Sequence, residues 1–253
     1  AALHANTQSI NELNVFPVPD GDTGTNMSLT VNNAATELRK RNFSTISEAA
    51  DCAASGLLRG ARGHSGVITS LLFRGMSRKL KGSAQADAAA YSAAMTEGVD
   101  AAYKAVMKPA EGTILTVSRK AAEAAVDYAK NGGADIERML ELSIQAAKEA
   151  LEDTINLNPV LKKAGVVDAG GKGYVVIYEA MLNCLRGNVT APDEAEEASF
   201  GDEGGVFEKF DTEDITFAYD TVFIVRRTSD KPLDLLRAYL DSIGDSLVIG
   251  EDD

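Results

Sequence analysis

The stretch "NVFPVPDGDTGTNM" (14–27) places two aspartates, Asp20 and Asp22, in a short loop stiffened by glycine and proline. The loop leads directly into an amphipathic helical pattern over 25–41, which ends with basic residues that suit a helix C-terminus. The start of a helix presents backbone N–H groups and the positive end of the helix dipole. Two carboxylates just before such a start predict a site for a divalent cation and phosphate groups.

Other interpretations of the aspartate pair are open to test on the sequence. The simplest is an acidic turn that caps the helix, with Thr23 or Thr25 as the N-cap residue. An EF-hand calcium loop is excluded, because it needs a glutamate where Val31 stands. A phosphatase nucleophile of the haloacid-dehalogenase type would follow a buried strand, and the two prolines of "FPVP" (16–19) disfavour one. The capping turn and the magnesium–nucleotide site both stay open at this point.

Helical patterns follow one another from this loop to residue 187. Beyond 25–41 they span 46–61, 65–80, 84–106, 112–131, 135–153 and 170–187. Breaks between them are short, and no strand pattern alternates with them. The sequence therefore predicts an all-α bundle and not a parallel α/β sheet.

The character of the chain changes after residue 187. Residues 188–214 are acidic, contain proline and glycine and show no clear period, which predicts a linker. Alternation predicts a strand over 217–225, followed by a helix over 232–244 and a strand over 245–250. Because so short a piece buries too little surface to fold alone, we expect 215–253 to be the incomplete beginning of an α/β domain that follows the domain at 1–187.

Composition narrows the possible functions. The formal net charge of the 253-residue chain is −13, and no cluster of lysine and arginine interrupts the acidity, which excludes a nucleic-acid partner. There is no apolar run long enough for a transmembrane segment and no signal-peptide pattern. Cys52 and Cys184 each lie in an apolar helical pattern, as reduced core thiols do, so we expect a cytoplasmic location.

Three further glycine-rich stretches precede helical patterns: "RGARGHSGV" (59–67), "PAEGTIL" (109–115) and "GVVDAGGKGY" (165–174). The last one departs from a Walker P-loop, because Gly171 stands where lysine is required. Any one of these stretches is equally compatible with a helix C-cap or a close helix contact. Together with the DGDTG loop, they predict four helix starts gathered at one end of the bundle as a nucleotide site.

In this order and spacing, the four stretches resemble the DhaL-type kinase domain, and most closely the N-terminal domain of bacterial fatty-acid kinase subunits of the FakA type. The resemblance covers 1–187, and the tail resembles the beginning of the middle domain of those subunits. It implies an eight-helix barrel that holds Mg–ATP or Mg–ADP at one end. It implies no zinc site, because Asp220 stands where a cysteine is expected.

The resemblance also implies site residues. Asp20 and Asp22 become the catalytic acids and the ligands of one or two Mg²⁺ ions, with Asn14 in place of a third aspartate of DhaL proteins. An arginine of DhaL proteins is replaced here by residues 154–156. Nucleotide contacts carry over to Thr23, Gly24, Thr25, Asn26, Gly63, His64, Ser65, Thr113, Asp168, Ala169 and Gly170.

The activity that the resemblance implies is ATP-dependent phosphoryl transfer to a fatty-acid carboxylate, giving an acyl phosphate. A lipid-binding carrier protein of the FakB type would present the acid, and we expect a homodimer formed through regions beyond this chain. Two alternatives remain from the sequence. One is a glycerone (dihydroxyacetone) kinase subunit of the DhaL type, and the other is a non-catalytic regulator that binds nucleotide.

Overall fold

The computed structural model describes residues 1–188, 221, 223, 225–226, 228–229 and 231–249. In chain order, the helices in these residues are α1 (Ala2–Ala5), α2 (Thr7–Asn11), α3 (Thr23–Arg39), α4 (Ile46–Arg59), α5 (Gly63–Leu80), α6 (Ala88–Ala105), α7 (Ile114–Lys130), α8 (Ile136–Leu157), α9 (Pro159–Ala164), α10 (Ala169–Leu185) and α11 (Asp234–Ile243). Seven of the helices within 1–188 have 14 or more residues, and α1, α2 and α9 have four to six. The all-α prediction is confirmed.

Capping side chains explain where most of these helices begin. An N-cap side chain accepts a hydrogen bond from the first turn of α4, α6, α7, α8, α9 and α10. The residues that do so are Thr45, Asp87, Thr113, Asp135, Asn158 and Asp168. Gly165 ends α9 in the left-handed conformation, which glycine adopts without steric cost.

The long helices close into a ring. From α3 to α8 each packs against the next in the chain, and the short connections make such neighbours antiparallel. Helix α10 packs on α7 and α8 and also contacts α3, so the last helix of the series meets the first. Fully buried methionines from three helices, Met27, Met95 and Met139, belong to one apolar core inside this ring.

The tail contacts the bundle at the end of α6. Val248 forms an antiparallel bridge with Val106, in which the N–H of Met107 donates to Leu247 at 3.3 Å and the N–H of Ile249 donates to Ala105 at 3.4 Å. The helix predicted over 232–244 is confirmed as α11.

Neither predicted strand of the tail is formed by the described residues. The strand predicted over 245–250 reduces there to the single bridge at Val248, because its partner is the end of a helix and not a second strand. For the strand predicted over 217–225, the described residues Thr221, Phe223 and Val225 lie in no strand, and its other residues are outside the described part. The linker predicted over 188–214 is also outside it, except for Asn188. None of the helices in the described residues is long and apolar enough to cross a membrane.

Helices α5 and α6 approach closely enough for their backbones to touch. A Cβ added at Gly75 would lie 2.4 Å from the carbonyl oxygen of Glu97, and one added at Gly98 would lie 2.4 Å from that of Leu72. Real Cβ atoms do not approach backbone so closely, so the two helices would have to separate. The packing of α5 on α6 therefore requires glycine at both positions.

We predict that Gly98→Ala lowers the free energy of unfolding by about 1–3 kcal/mol, the usual cost of overpacking. The higher helix propensity of alanine, worth up to about 1 kcal/mol, should not compensate. Urea unfolding measures the change, and Asp100→Ala at an exposed position of the same helix is the control, with an expected change within about 0.5 kcal/mol. A Gly98→Ala protein as stable as the wild type would contradict the close contact.

Candidate nucleotide and metal site

The first turns of α3 and α5 pack against each other through glycines. A Cβ added at Gly63 would lie 2.3 Å from Nδ2 of Asn26, and one added at Gly66 would lie 2.4 Å from Oγ1 of Thr30. The same Oγ1 accepts a hydrogen bond from the N–H of Arg62 at 3.2 Å. The DGDTG loop and the "RGARGHSGV" stretch are therefore neighbours in the structure.

The first turns of α10 and α7 complete this group. A Cβ added at Gly173 in α10 would lie 2.4 Å from Sδ of Met27 in α3, and one added at Gly170 would lie 3.3 Å from Cβ of Ile114 in α7. The starts of α5, α3, α10 and α7 thus adjoin in that order. The predicted gathering of the four glycine-rich stretches at one end of the bundle is confirmed.

The aspartate pair is organised by Asn14. Nδ2 of the buried Asn14 donates to Oδ1 of Asp20 at 2.6 Å and to the carbonyl oxygen of Val18 at 2.9 Å, while its Oδ1 accepts from the hydroxyl of Thr23. The carboxyl group of Asp20 is hydrogen-bonded to that of Asp22 as well. One side chain thus links the loop to the beginning of α3.

The electrostatics of the pair favour a bound cation. Asp20 is exposed as a whole residue, but partial burial of its carboxyl group raises its pKa from the ordinary 3.8 to about 6, helped by the negative charge of Asp22 and the hydrogen bond between them. The Asn14 amide opposes the shift. Burial first and the neighbouring charge of Asp22 second disfavour the ionised form of Asp20, and a divalent cation between the two carboxylates would stabilise that form.

The side chain of Asn14 makes three hydrogen bonds within the protein. Its only side-chain oxygen is the acceptor for Thr23, and its amide group is turned to Asp20 and Val18. In this structure the amide group of Asn14 holds the carboxyl group of Asp20 in position. The three predicted metal ligands, Asp20, Asp22 and Asn14, therefore lie together, with the amide group of Asn14 turned towards Asp20.

The sequence predicts that backbone N–H groups at the start of α3 are free to bind phosphate, and two of them are not. Oδ1 of Asn11 in α2 accepts hydrogen bonds from the N–H groups of Gly24 at 2.7 Å and Thr25 at 3.1 Å. Those two donors are therefore already satisfied. Sequence reasoning missed Asn11, and no local pattern reveals it, because the residue lies 13 positions before Gly24 in the chain.

The α7–α10 side of the site is buried and rigid. Asp168 is 5% exposed, and its carboxyl group caps α10 by accepting a hydrogen bond from the N–H of Gly171 at 2.7 Å, while its own N–H donates to Oγ1 of Thr154 at 3.1 Å. Burial raises the pKa of Asp168 to about 7, against the opposing hydrogen bonds from Gly171 and Ile114. Its visible role is to join the starts of α10 and α7.

A second polar network, which the sequence did not indicate, fixes the loop before α7. Glu111 accepts hydrogen bonds from Tyr103 at 3.0 Å, from Thr116 at 2.7 Å and from Arg119 at 2.7 Å. The hydroxyl of Thr116 also accepts from the N–H of Gly112 at 2.9 Å, next to the predicted contact Thr113. The loop that carries Thr113 is therefore held from the side of α6 and α7.

Exposure divides the predicted site residues into two groups. Those at least partly exposed to solvent are Asp20, Asp22, Thr25, Asn26, His64 and Ser65. Those that are buried are Asn14, Thr23, Gly24, Gly63, Thr113, Asp168, Ala169 and Gly170. All members of the first group belong to the starts of α3 and α5, so a ligand has direct access to side chains on that side. In the part of the chain that the structure describes, there is no group of three or more His, Cys, Asp and Glu side chains placed to hold a metal ion.

An all-helical ring with an acidic pair at converging helix starts defines a class of nucleotide-binding, kinase-type domains. The sequence model of the DAK2 domain matches residues 17–183, which include Asp20, Asp22 and the three further glycine-rich stretches, and the chain belongs to this domain family. The DAK2 domain occurs in kinase subunits of the dihydroxyacetone kinase family. A nucleotide-binding, kinase-type role follows for this domain.

The similarity to other proteins extends beyond residues 17–183 to almost the whole chain. An uncharacterized protein of Staphylococcus epidermidis is 41% identical over 99% of this chain, which covers 46% of that protein. Uncharacterized proteins of Staphylococcus haemolyticus and Staphylococcus aureus are each 42% identical over 99% of the chain, which covers 46% and 47% of them. The chain spans about half the length of these curated relatives.

The buried carboxyl group of Asp168 makes stability depend on pH. Because its pKa is about 7 in the folded protein and 3.8 when unfolded, folding is favoured while the group is protonated and the gain is lost as the pH rises towards 7. We predict that the wild type loses about 2 kcal/mol of stability relative to Asp168→Asn between pH 5.5 and pH 8.

Urea unfolding of both proteins at the two pH values tests this, and the comparison cancels the titration of shared groups. Asp127→Asn, at an exposed position of α7, is the charge-matched control and should show no comparable pH-dependent difference. A constant difference between wild type and Asp168→Asn would show that the carboxyl group is ionised in both states.

Proposed function

We propose that this chain binds Mg–ATP at the starts of α3 and α5 and transfers the terminal phosphoryl group to a fatty-acid carboxylate. The observation that carries the proposal is the contact between the carboxyl groups of Asp20 and Asp22, with the pKa of Asp20 raised towards 6. The pair lies within the DAK2 match and next to partly exposed polar side chains of both helix starts. The acid substrate would be presented by a lipid-binding carrier protein.

The residues at the pair fit Mg²⁺. This ion prefers oxygen ligands and is usually bound through one or two carboxylates together with water and phosphate oxygens. Asp20 and Asp22 are the two carboxylates, and Asn14 fixes one of them through a 2.6 Å hydrogen bond. When bound, the ion supplies positive charge that neutralises the phosphate oxygens.

The side chains around the pair would bind and orient the nucleotide. Thr25, Asn26, His64 and Ser65 are partly exposed in the first turns of α3 and α5, where polar groups can reach a phosphate or sugar. Phosphoryl transfer depends mainly on such positioning and on charge stabilisation. Because a fatty acid is ionised at neutral pH, no side chain has to remove a proton from it, which suits a site without a placed general base.

The choice of acceptor rests on the resemblance to fatty-acid kinase subunits. A dihydroxyacetone kinase subunit shares the same domain family and would use the same nucleotide site. A regulator that binds nucleotide without transferring phosphate would do so as well. The three functions differ in the fate of the terminal phosphate of ATP.

An acceptor assay separates these functions. This chain and the complete gene product are each incubated with terminally labelled ATP, Mg²⁺ and either a fatty-acid-loaded carrier protein or dihydroxyacetone, and acyl phosphate is trapped with hydroxylamine. We expect hydroxamate only with the loaded carrier. Labelled glycerone phosphate would assign the dihydroxyacetone activity, and nucleotide binding without any labelled product from the complete protein would assign a regulator.

The metal role of Asp22 has its own prediction. Mg–ADP at about 100 times its dissociation constant should stabilise the wild type by roughly 2.7 kcal/mol. Asp22→Asn should keep its fold and lose most of this gain, because one of two carboxylate ligands is gone. Thermal unfolding with and without Mg–ADP measures the effect, and Asp51→Asn, an exposed aspartate of α4, is the charge-matched control. A full Mg–ADP shift in Asp22→Asn would remove Asp22 from the metal site.

A further inference from the structure

The first turn of α3 is capped by a side chain of α2 and not by its own N-cap residue. Besides accepting the N–H groups of Gly24 and Thr25, Asn11 donates from Nδ2 to the hydroxyl of Thr25 at 3.0 Å. Asp22 stands at the N-cap position of α3, and among the described residues its carboxylate makes no capping hydrogen bond. The helix start is thus satisfied from outside.

Asn11 occupies the donors that an N-cap aspartate normally binds. Gly24 and Thr25 are the second and third residues of α3, and an N-cap side chain accepts a hydrogen bond from these positions. If the carboxylate of Asp22 accepted hydrogen bonds from these two N–H groups, its oxygen atoms would be less available to a cation. With Asn11 in place, the carboxylate of Asp22 lies beside Asp20 instead.

We propose that Asn11 is a positioning residue that keeps the carboxylate of Asp22 beside Asp20, where the pair binds a divalent cation. The inference rests on the proposed function, which assigns Mg²⁺ to this pair. Packing supports it, since a Cβ added at Gly24 would lie 2.3 Å from the carbonyl oxygen of Thr7 and 2.9 Å from Oδ1 of Asn11. Helix α2 is therefore held directly against the N–H groups that it caps.

A merely structural role for Asn11 makes a different prediction. If Asn11 only fastens α2 to α3, its loss weakens the fold by the same factor whatever residue stands at position 22. If Asn11 displaces Asp22 from the cap, then its loss lets Asp22 take over the two N–H groups. The fold is then partly rescued, and the cation site loses a ligand.

A double-mutant cycle without Mg²⁺ or nucleotide decides between the two. Asn11→Ala leaves Asp22 as a cap, Asp22→Ala leaves Asn11 as a cap, and the double variant has neither. If the two single substitutions acted independently, their effects on the folding equilibrium constant would multiply. We expect the constant of the double variant to be about fivefold lower than that product, because only the double variant has lost its last helix cap. Ser9→Ala, an exposed position of α2, combined with Asp22→Ala should show no such excess.

The second measurement is the dissociation constant of Mg–ADP by calorimetry. Asn11→Ala should bind Mg–ADP about tenfold more weakly, the low end of effects seen when a residue that orients a metal ligand is removed. Ser9→Ala should bind as the wild type does. ADP with a chelator should bind wild type and Asn11→Ala equally, because the effect acts through the cation.

Simple multiplication of the single effects in the cycle, or an unchanged Mg–ADP constant in Asn11→Ala, overturns the proposal. Failure of the nucleotide and metal site in the proposed function looks different, since then the wild type itself does not bind Mg–ADP, and failure of the fatty-acid acceptor alone leaves this measurement unchanged. The metal-free cycle still decides in that case whether Asn11 and Asp22 exchange the cap.

Discussion

Close approach of four helix starts is the constraint on which the rest of the structure depends. An added Cβ at Gly63 or Gly173 would lie 2.3 or 2.4 Å from the end of the Asn26 or Met27 side chain, and one at Gly24 would lie 2.3 Å from the backbone carbonyl oxygen of Thr7 in α2. At Gly63 the backbone is also left-handed, with φ of 56°, which other residues adopt only at a cost. Glycine thus lets the starts of neighbouring helices meet, and the loop before α3 is thereby held over the end of the ring.

This packing leaves two carboxyl groups close together, and a bound cation would relieve their repulsion. Two carboxylates about 4 Å apart repel by roughly 4 kcal/mol at an effective dielectric constant of 20. The protein carries a net charge of −13, so its overall field adds to the difficulty of binding phosphate. A proton shared between Asp20 and Asp22 is one relief, in keeping with the raised pKa of Asp20. A divalent cation is the other, and it alone also favours a nucleotide.

The sequence predicts the long helices well because each has a clear apolar period, and five of them begin at a polar capping side chain. It also predicts which stretches meet, since alternate helices of an antiparallel ring begin at the same end. It fails where one side chain reaches a distant backbone group. The cap from Asn11 to Gly24 and the network of Glu111 with Arg119 depend on tertiary packing, which no local spacing encodes.

The strand expected over 245–250 is reduced, in its described residues, to a single bridge for a related reason. Alternation of apolar residues indicates a segment that can form a β-strand, but it does not indicate which segment of the chain it pairs with. Residues near Val248 find one at Val106, directly after α6, so a segment expected to join a sheet is attached to the helical ring. Lys108 and Asp241 add an ion pair at 3.6 Å beside this contact, although exposed pairs of this kind contribute little.

The predicted site residues have different surroundings on the two sides of the site, the buried side at α7 and α10 and the exposed side at α3 and α5. Gly170 and Asp168 looked like nucleotide contacts in the sequence, yet both are buried where α10 meets α7, and the packing and the cap already account for them. Substitutions there act first on stability. Asp22 and His64 lie where solvent reaches them, so a substitution there can change ligand binding without opening the core. The buried side of the site fixes the helix starts, and the exposed side carries the carboxylates of Asp20 and Asp22. A substitution that weakens nucleotide binding therefore identifies a ligand contact only when the free energy of unfolding of the variant stays unchanged.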